Sequence, residues 1–235
     1  MSVKTIAIMQ PYFFPYLGYL GLMAHADEFV VLDCVQFPRR GRVHRCQVPG
    51  PHASERWLTL PVAHAPQSAR ICDMQFQSDA ARRWQTRLTL HPWAQNGTGS
   101  AWTETLLDLL VIRGASLGDY LLEQLVFLRD ALGLNCAITR SSDLGIDPAK
   151  RGSERLAAIA GARGAARYVN APGGRSLYCA DQFAQHGLDL AFLPDYTGPF
   201  RHLLPALMRD DIGHMTQDLA RYAAEPLVKA EGANA

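Results

Sequence analysis

The sequence predicts an α/β fold, with a mainly parallel, Rossmann-like sheet, helices on both faces and a small β-rich insertion. Three observations predict it. Short apolar runs recur along the chain, each too short for a helix and each ending in polar, proline or glycine residues. Segments with helical periodicity alternate with these runs, as expected of a parallel sheet covered on both sides. Finally, the first few dozen residues already read strand, helix, strand.

The elements follow in order. Ile6-Ala7-Ile8-Met9 is a buried strand that stops at Gln10-Pro11, residues 17–26 form a short helix, and Phe29 to Asp33 form a second strand. Residues 42–48 and 56–62 read as two strands around Pro49-Gly50-Pro51, with 70–76 a third. Residues 79–90 and 100–113 read as helices, separated by His91-Pro92-Trp93 and a Gly/Ser/Asn-rich loop. Ser116 with Asp119 three residues on resembles a capping box. Leu121, Leu125, Leu128 and Leu132 then keep one helical face apolar up to Gly133. Residues 136–139 form a strand, Ser153 opens a helix, 168–170 form a strand, 180–185 a short helix and 188–193 a last strand. The chain divides as one α/β domain over 1–225, with the β-rich insertion at about 38–78 and a frayed Ala/Gly/Glu-rich tail over 226–235.

Composition narrows the class. Of 235 residues 48% are apolar and 19% charged, which suits a folded domain that needs no disulfide or metal staple. A net charge of +1 supplies no global field for nucleic acid or a membrane surface. Lys4, Lys150 and Lys229 are the lysines; every other basic residue is arginine, which grips carboxylate and phosphate bidentately. The five cysteines form no C-x-x-C, so neither a disulfide framework nor a metal site is expected, and no cofactor motif stands in the chain. Residues 5–26 carry no formal charge, but Gln10, Pro11 and Pro15 break the continuous apolar core that a signal peptide requires. The expected location is cytoplasmic.

In an open parallel sheet ligands bind beyond the carboxyl ends of the strands. Those ends carry Gln10 to Gly18, Asp33 to Arg40, Arg140 to Asp143 and Asn170 to Arg175. The candidate binding residues are therefore Gln10, Tyr12, Tyr16, Gln36, Arg40, Arg45, Ser141, Ser142, Asn170, Gly173 and Arg175. Tyr12 and Tyr16 offer aromatic faces, and Gln10 a polar edge. Arg39, Arg40, Arg42, His44 and Arg45 form the densest basic patch, readable as an anion clamp or as a charged edge strand. His44 and Asp33 are the candidate proton carriers. Gln10, Tyr12, Gln36, Arg45, Ser141 and Asn170 are expected to line one cavity.

The run Ile8-Met9-Gln10-Pro11-Tyr12-Phe13-Phe14-Pro15-Tyr16-Leu17-Gly18-Tyr19 closely resembles the opening of the WbqC-like family. The resemblance continues through Ala26-Asp27, Val31 to Phe37, Arg45, Leu58-Thr59-Leu60-Pro61-Val62, Ser141-Ser142, Glu154-Arg155-Leu156 and Tyr168 to Tyr178. It implies a bacterial protein of surface-polysaccharide or natural-product gene sets, with a transferase role on activated sugars or acyl groups. Cys34, His44 and Gln47 depart from the family pattern. The proline-rich turn and Gly18 also resemble small nucleotidylyltransferases and pantoate-activating ligases, although Tyr16-Leu17-Gly18-Tyr19 lacks their H-x-G-H histidines.

The function expected from this resemblance is transfer of an acyl or aminoacyl group onto an amino-sugar or other small acceptor. The partners would be a nucleotide-sugar or acyl-thioester donor, the acceptor and a carrier protein, with no nucleic acid and no membrane. Two other readings stand beside it. One is a non-catalytic scaffolding subunit of a biosynthetic complex, since no nucleophile motif is present. The other is a thioesterase-like hydrolase using Cys34 or Cys46 near His44.

Overall fold

Apolar residues alternating across short strands build a sheet that is buried on both faces. The computed structural model describes residues 3–50, 52, 54–91, 94 and 100–232. Strands β1 (Thr5–Met9), β2 (Glu28–Val31), β5 (Ala137–Arg140), β6 (Arg167–Asn170) and β7 (Asp189–Phe192) run parallel. With β8 (Val228–Lys229) they form a six-stranded sheet of order β5-β2-β1-β6-β7-β8. Ala7 of the central strand pairs with both Phe29 and Val169.

Successive side chains point to opposite faces. Ala7, Phe29, Val31 and Val169 pack into one cluster with helices α1 (Leu17–Ala24), α4 (Leu117–Ala131) and α8 (Ile212–Ala223). Ile6, Ile8, Val30 and Tyr168 pack on the other side with Leu156 and Ile159 of α5 (Gly152–Ala162) and Phe183 of α6 (Asp181–Ala184). The chain is mixed α/β with a mostly parallel sheet, as the alternation of runs predicts. Among the described residues no helix is long and apolar enough to cross a membrane.

Strands β3 (Arg45–Pro49) and β4 (Glu55–Thr59) form a separate antiparallel pair, flanked later in the chain by α2 (Ala80–Leu88) and α3 (Ala101–Leu109). Pro51, Pro92, Trp93 and most of the Gly/Ser/Asn-rich loop lie outside the described residues.

Three local expectations need correction. Residues 70–76 are not a strand: Ile71–Asp73 make a 3-10 turn, and Arg70, Phe76 and Gln75 make isolated bridges. An Arg70–Asp73 ion pair at 2.8 Å favours that turn, and burial of Ile71 and Met74 at a spacing of three fits it. Ser116 does cap α4 by accepting the Asp119 N–H, but the Asp119 carboxylate leaves the cap to pair with Arg140 at 2.6 Å. The tail is not wholly frayed either. Val228–Lys229 pair antiparallel with β7, and the Ala180 N–H donates to the Glu231 carbonyl at 2.8 Å. The last helices, α7 (Leu203–Met208) and α8, precede that strand.

Candidate functional site

Sequence order reverses direction at the centre of the sheet. From β1 the chain builds β2 and β5 on one side, then crosses to β6 and β7 on the other. Strand ends diverge at such a switch point and leave a crevice at the carboxyl edge. Gln10 follows β1 and Asn170 closes β6, so the two residues flank it. Asn170 is buried, and its Oδ1 accepts the Ala171 N–H at 2.7 Å. Above it turns the segment Pro172–Ser176, where a side chain at Gly174 would come within 2.5 Å of the Asn170 amide nitrogen. Glycine lets this turn close over the asparagine. Arg175 is fixed beside it by the Leu193 carbonyl at 2.7 Å and Asp195 at 2.9 Å. Gly173 is exposed at the crest of the turn.

The aromatic loop after β1 divides in two. Phe13 and Phe14 are core residues, Phe13 meeting Trp84 edge-on with ring centroids 5.5 Å apart. Phe14 holds a positive φ of 37°, a strained conformation for a residue with a side chain, stored directly beside the strand end. Tyr12 and Tyr16 are half-buried and form the wall. Tyr12 stacks on Tyr19, and Tyr16 lies 6.1 Å from the ring of Tyr196. Burial raises the pKa of both wall phenols, and nearby Arg42 opposes the shift in each. Both remain protonated donors at neutral pH. Helix α1 offers the crevice little at its start, because the Leu17 N–H is already donated to the Phe200 carbonyl.

The adjoining strand ends, β2 and β5, are locked by Asp33. Its carboxylate accepts from Arg140 Nε at 2.7 Å, Ser141 Oγ at 3.0 Å, the Ser142 N–H at 2.9 Å and Ser142 Oγ at 3.0 Å. Ser141 Oγ in turn accepts the N–H groups of Asp33 and Cys34. A buried carboxylate with this many donors is an anchor between strand ends, not an available base. Beyond it, Arg155 donates to the Cys34 carbonyl at 3.2 Å and the Cys34 Sγ at 3.1 Å, and also to the carbonyls of Lys150 and Pro148.

The insertion holds the remaining candidates. Arg45 donates to the Gly41 and Arg40 carbonyls and lies 4.2 Å above the Trp57 ring. It thus orders the turn carrying the exposed Arg40. Gln36 bridges to Arg70 and donates to the Gln67 carbonyl. His44 is buried against Phe37, with Nδ1 lacking a hydrogen-bond partner. Burial, and then the charge of Arg45, lower its pKa to about 4, so the imidazole is neutral. Cys46 is buried and its thiol is driven well above the ordinary range, which suits a packing residue rather than a nucleophile.

The structure therefore brings Gln10, Tyr12, Tyr16, Asn170 and Arg175 around the switch point. It gathers Asp33, Ser141 and Ser142 in a neighbouring, self-satisfied network. Gln36 lies just before the insertion, Arg40 on a turn within it, and Arg45 opens β3. Sequence reasoning gives no role to Arg155, Asp195 or Tyr196, and names Arg42 only as part of the basic patch. The strand-end rule that selected Asn170 also reaches Asp195 and Tyr196, which follow β7.

Fold and topology define a doubly wound α/β protein whose switch point, between β1 and β6, is flanked by Gln10 and Asn170. The WbqC-like protein family matches residues 10–202, and the chain belongs to that family. A stretch of 60 residues is 33% identical to the uncharacterized protein Rv1507c of Mycobacterium tuberculosis, covering 26% of each chain. The match thus spans about a quarter of that relative's length. No solved structure matches the chain.

Proposed function

We propose that the protein is a cytoplasmic transferase of surface-polysaccharide or natural-product biosynthesis, moving an acyl or aminoacyl group onto an amino-sugar or other small acceptor. What supports this reading is that Gln10 follows β1 and Asn170 ends the neighbouring β6 at the switch point, with the protonated phenols of Tyr12 and Tyr16 on the loop after β1 and the charge of Arg42 acting on both. Amide groups suit the hydroxyls of a sugar, and phenol donors suit a carbonyl oxygen that gains charge during acyl transfer. The acceptor nitrogen attacks the donor carbonyl, the new C–N bond forms and the bond to the activating group breaks. With His44 neutral in the core and Asp33 saturated, the acceptor's proton leaves to solvent at the mouth of the crevice. Catalysis here is chiefly positioning.

Incubation with panels of acyl thioesters, nucleotide-sugars and amino-sugars, read by mass spectrometry, tests the proposal. Turnover is expected, with kcat/KM falling about 10- to 100-fold in Asn170→Ala and Arg42→Ala, as typical for lost positioning contacts. Stable capture of a partner enzyme without turnover on any panel would favour the scaffolding reading instead. The Arg155 contact to Cys34 Sγ gives the thioesterase alternative its one structural support. Activity that survives full alkylation by iodoacetamide would remove it.

A further inference from the structure

The insertion carries a second cavity, separate from the strand-end crevice. It is a cleft of about 1070 Å³ where the β3–β4 pair meets the end of α2 and the turn after α7. Its charge lining is one-sided. Arg56, Arg87 and Arg209 border it, and no carboxylate does among the described residues. In a chain whose net charge is only +1, this is a local concentration of guanidinium. Arg209 pairs with Asp211, and Arg87 donates to the Thr59 carbonyl. Arg56 pairs with no carboxylate among the described residues, and its charge helps hold neighbouring His91 below its ordinary pKa, after burial.

The rest of the lining is apolar or aromatic. Trp57 is 42% exposed and Leu90 75% exposed, both unusual for side chains of this size. Arg45 and Arg42 stack on the Trp57 ring at 4.2 and 5.3 Å. Those cations fix the plane of the ring, as cation–π contacts do, and so preorganise it. A cleft with guanidinium groups on one part of its wall and a fixed indole on another suits a ligand of matching halves. One half carries two or more negative charges, which arginine grips bidentately. The other half is flat and aromatic, which an indole stacks.

We propose that this cleft is a nucleoside-diphosphate site, with the diphosphate held by Arg56 and Arg209 and the base packed on Trp57. The site draws on β4, the end of α2 and the turn after α7, and, although Arg42 lies over the Trp57 ring, it requires nothing of the crevice chemistry. Where the transferase reading also holds, the site takes the part common to nucleotide-sugars and to nucleotide-bearing thioesters. A nucleotide-linked amino-sugar acceptor and a nucleotide-bearing thioester donor both carry a nucleoside diphosphate.

Titration calorimetry of the full chain with ADP and UDP tests the site. Binding of at least one is expected. Arg56→Ala, Arg209→Ala and Trp57→Leu should each weaken it about tenfold or more, the effect expected on losing one charged or stacking contact. Adenosine, uridine and inorganic pyrophosphate should each bind more weakly than the intact diphosphates, because each fills one half of the cleft. Arg56 and Arg209 are exposed, so an unchanged thermal melting curve shows that these variants stay folded. Asn170→Ala, at the crevice, should leave nucleotide binding unchanged even if it abolishes transfer. Absence of ADP and UDP binding at millimolar concentration would overturn the proposal. So would affinities untouched by all three cleft variants, or lost in Asn170→Ala alone. Preferential binding of an acidic peptide, laid along the β4 edge, would overturn it as well.

Discussion

His44 shows how one residue's surroundings can reverse its sequence reading. A histidine amid arginines looks like an anion-assisted base, but Phe37 covers it and burial keeps it neutral. A base whose folded pKa is depressed takes up protons more readily in the unfolded chain. Stability should therefore be complete above about pH 6.5 and fall as pH drops toward about 4, by up to roughly 3 kcal/mol. Urea denaturation at pH 7.5 and pH 5 should show this loss in the wild type and a much smaller one in His44→Leu. Asp33 is a similar case, since a carboxylate at a strand end reads as a proton carrier until its four donors are seen. Asp33→Ala should cost about 3–5 kcal/mol, the range for removing one partner of a buried charged network. Such a loss in denaturant titration would be structural, not catalytic. The cover over His44 comes from only seven residues away, but nothing in the spacing shows that Phe37 folds back on it, and the donors to Asp33 are remote, since Ser141 lies 108 residues from it.

At the scale of elements, the buried parallel strands were legible because apolar runs flanked by turn residues have few other uses. The region 70–76 was not, since an alternating run can also be a turn whose apolar residues reach the core at wider spacing. The glycines at element starts were half legible. Gly18 resembles a phosphate-binding turn residue, yet its actual constraint is packing: a Cβ there would sit 2.4 Å from Cβ of Tyr196. Tyr196 is pinned in place by Asp218 at 2.6 Å, so the ring cannot easily yield. Gly18→Ala should lower stability by about 1–3 kcal/mol, as overpacking does. Gly174→Ala strikes Asn170 instead. Its larger effect should fall on the crevice, raising KM or abolishing transfer while the melting temperature moves by a few degrees. Comparing thermal melts with turnover separates the two outcomes.

The molecule as a whole is tied at the sheet's opposite, amino edge by Glu28. Lys4, Thr139 and Arg163 reach this buried carboxylate from three separate parts of the chain. Burial pushes the Glu28 pKa upward, but those hydrogen bonds outweigh it and the net shift is downward. A depressed carboxyl contributes stability above its unfolded pKa and loses it as pH falls through the folded value. Glu28→Gln should accordingly cost about 2–3 kcal/mol near neutrality and flatten the acid limb below about pH 4.5, which circular dichroism during acid titration would show. The sheet order was only partly legible, because alternation implies parallel strands without saying which pairs with which. The arginine-lined cleft was least legible of all. Arg56, Arg87 and Arg209 come from three distant segments, and no spacing rule joins them.

The central strand carries a consequence for how the chain acquires its structure. One side of β1 pairs with β2 early, whereas the other waits for β6, some hundred and sixty residues later. During synthesis the β2-β1 pair can form long before β6 leaves the ribosome, with β5 joining it only shortly before β6 follows. Until then β1 presents an unpaired apolar ribbon, open to the wrong partner. Closing so long a loop is entropically slow. The crevice between Gln10 and Asn170 is therefore among the last features to exist, and ligand competence should lag behind recovery of helical signal when the denatured protein is refolded.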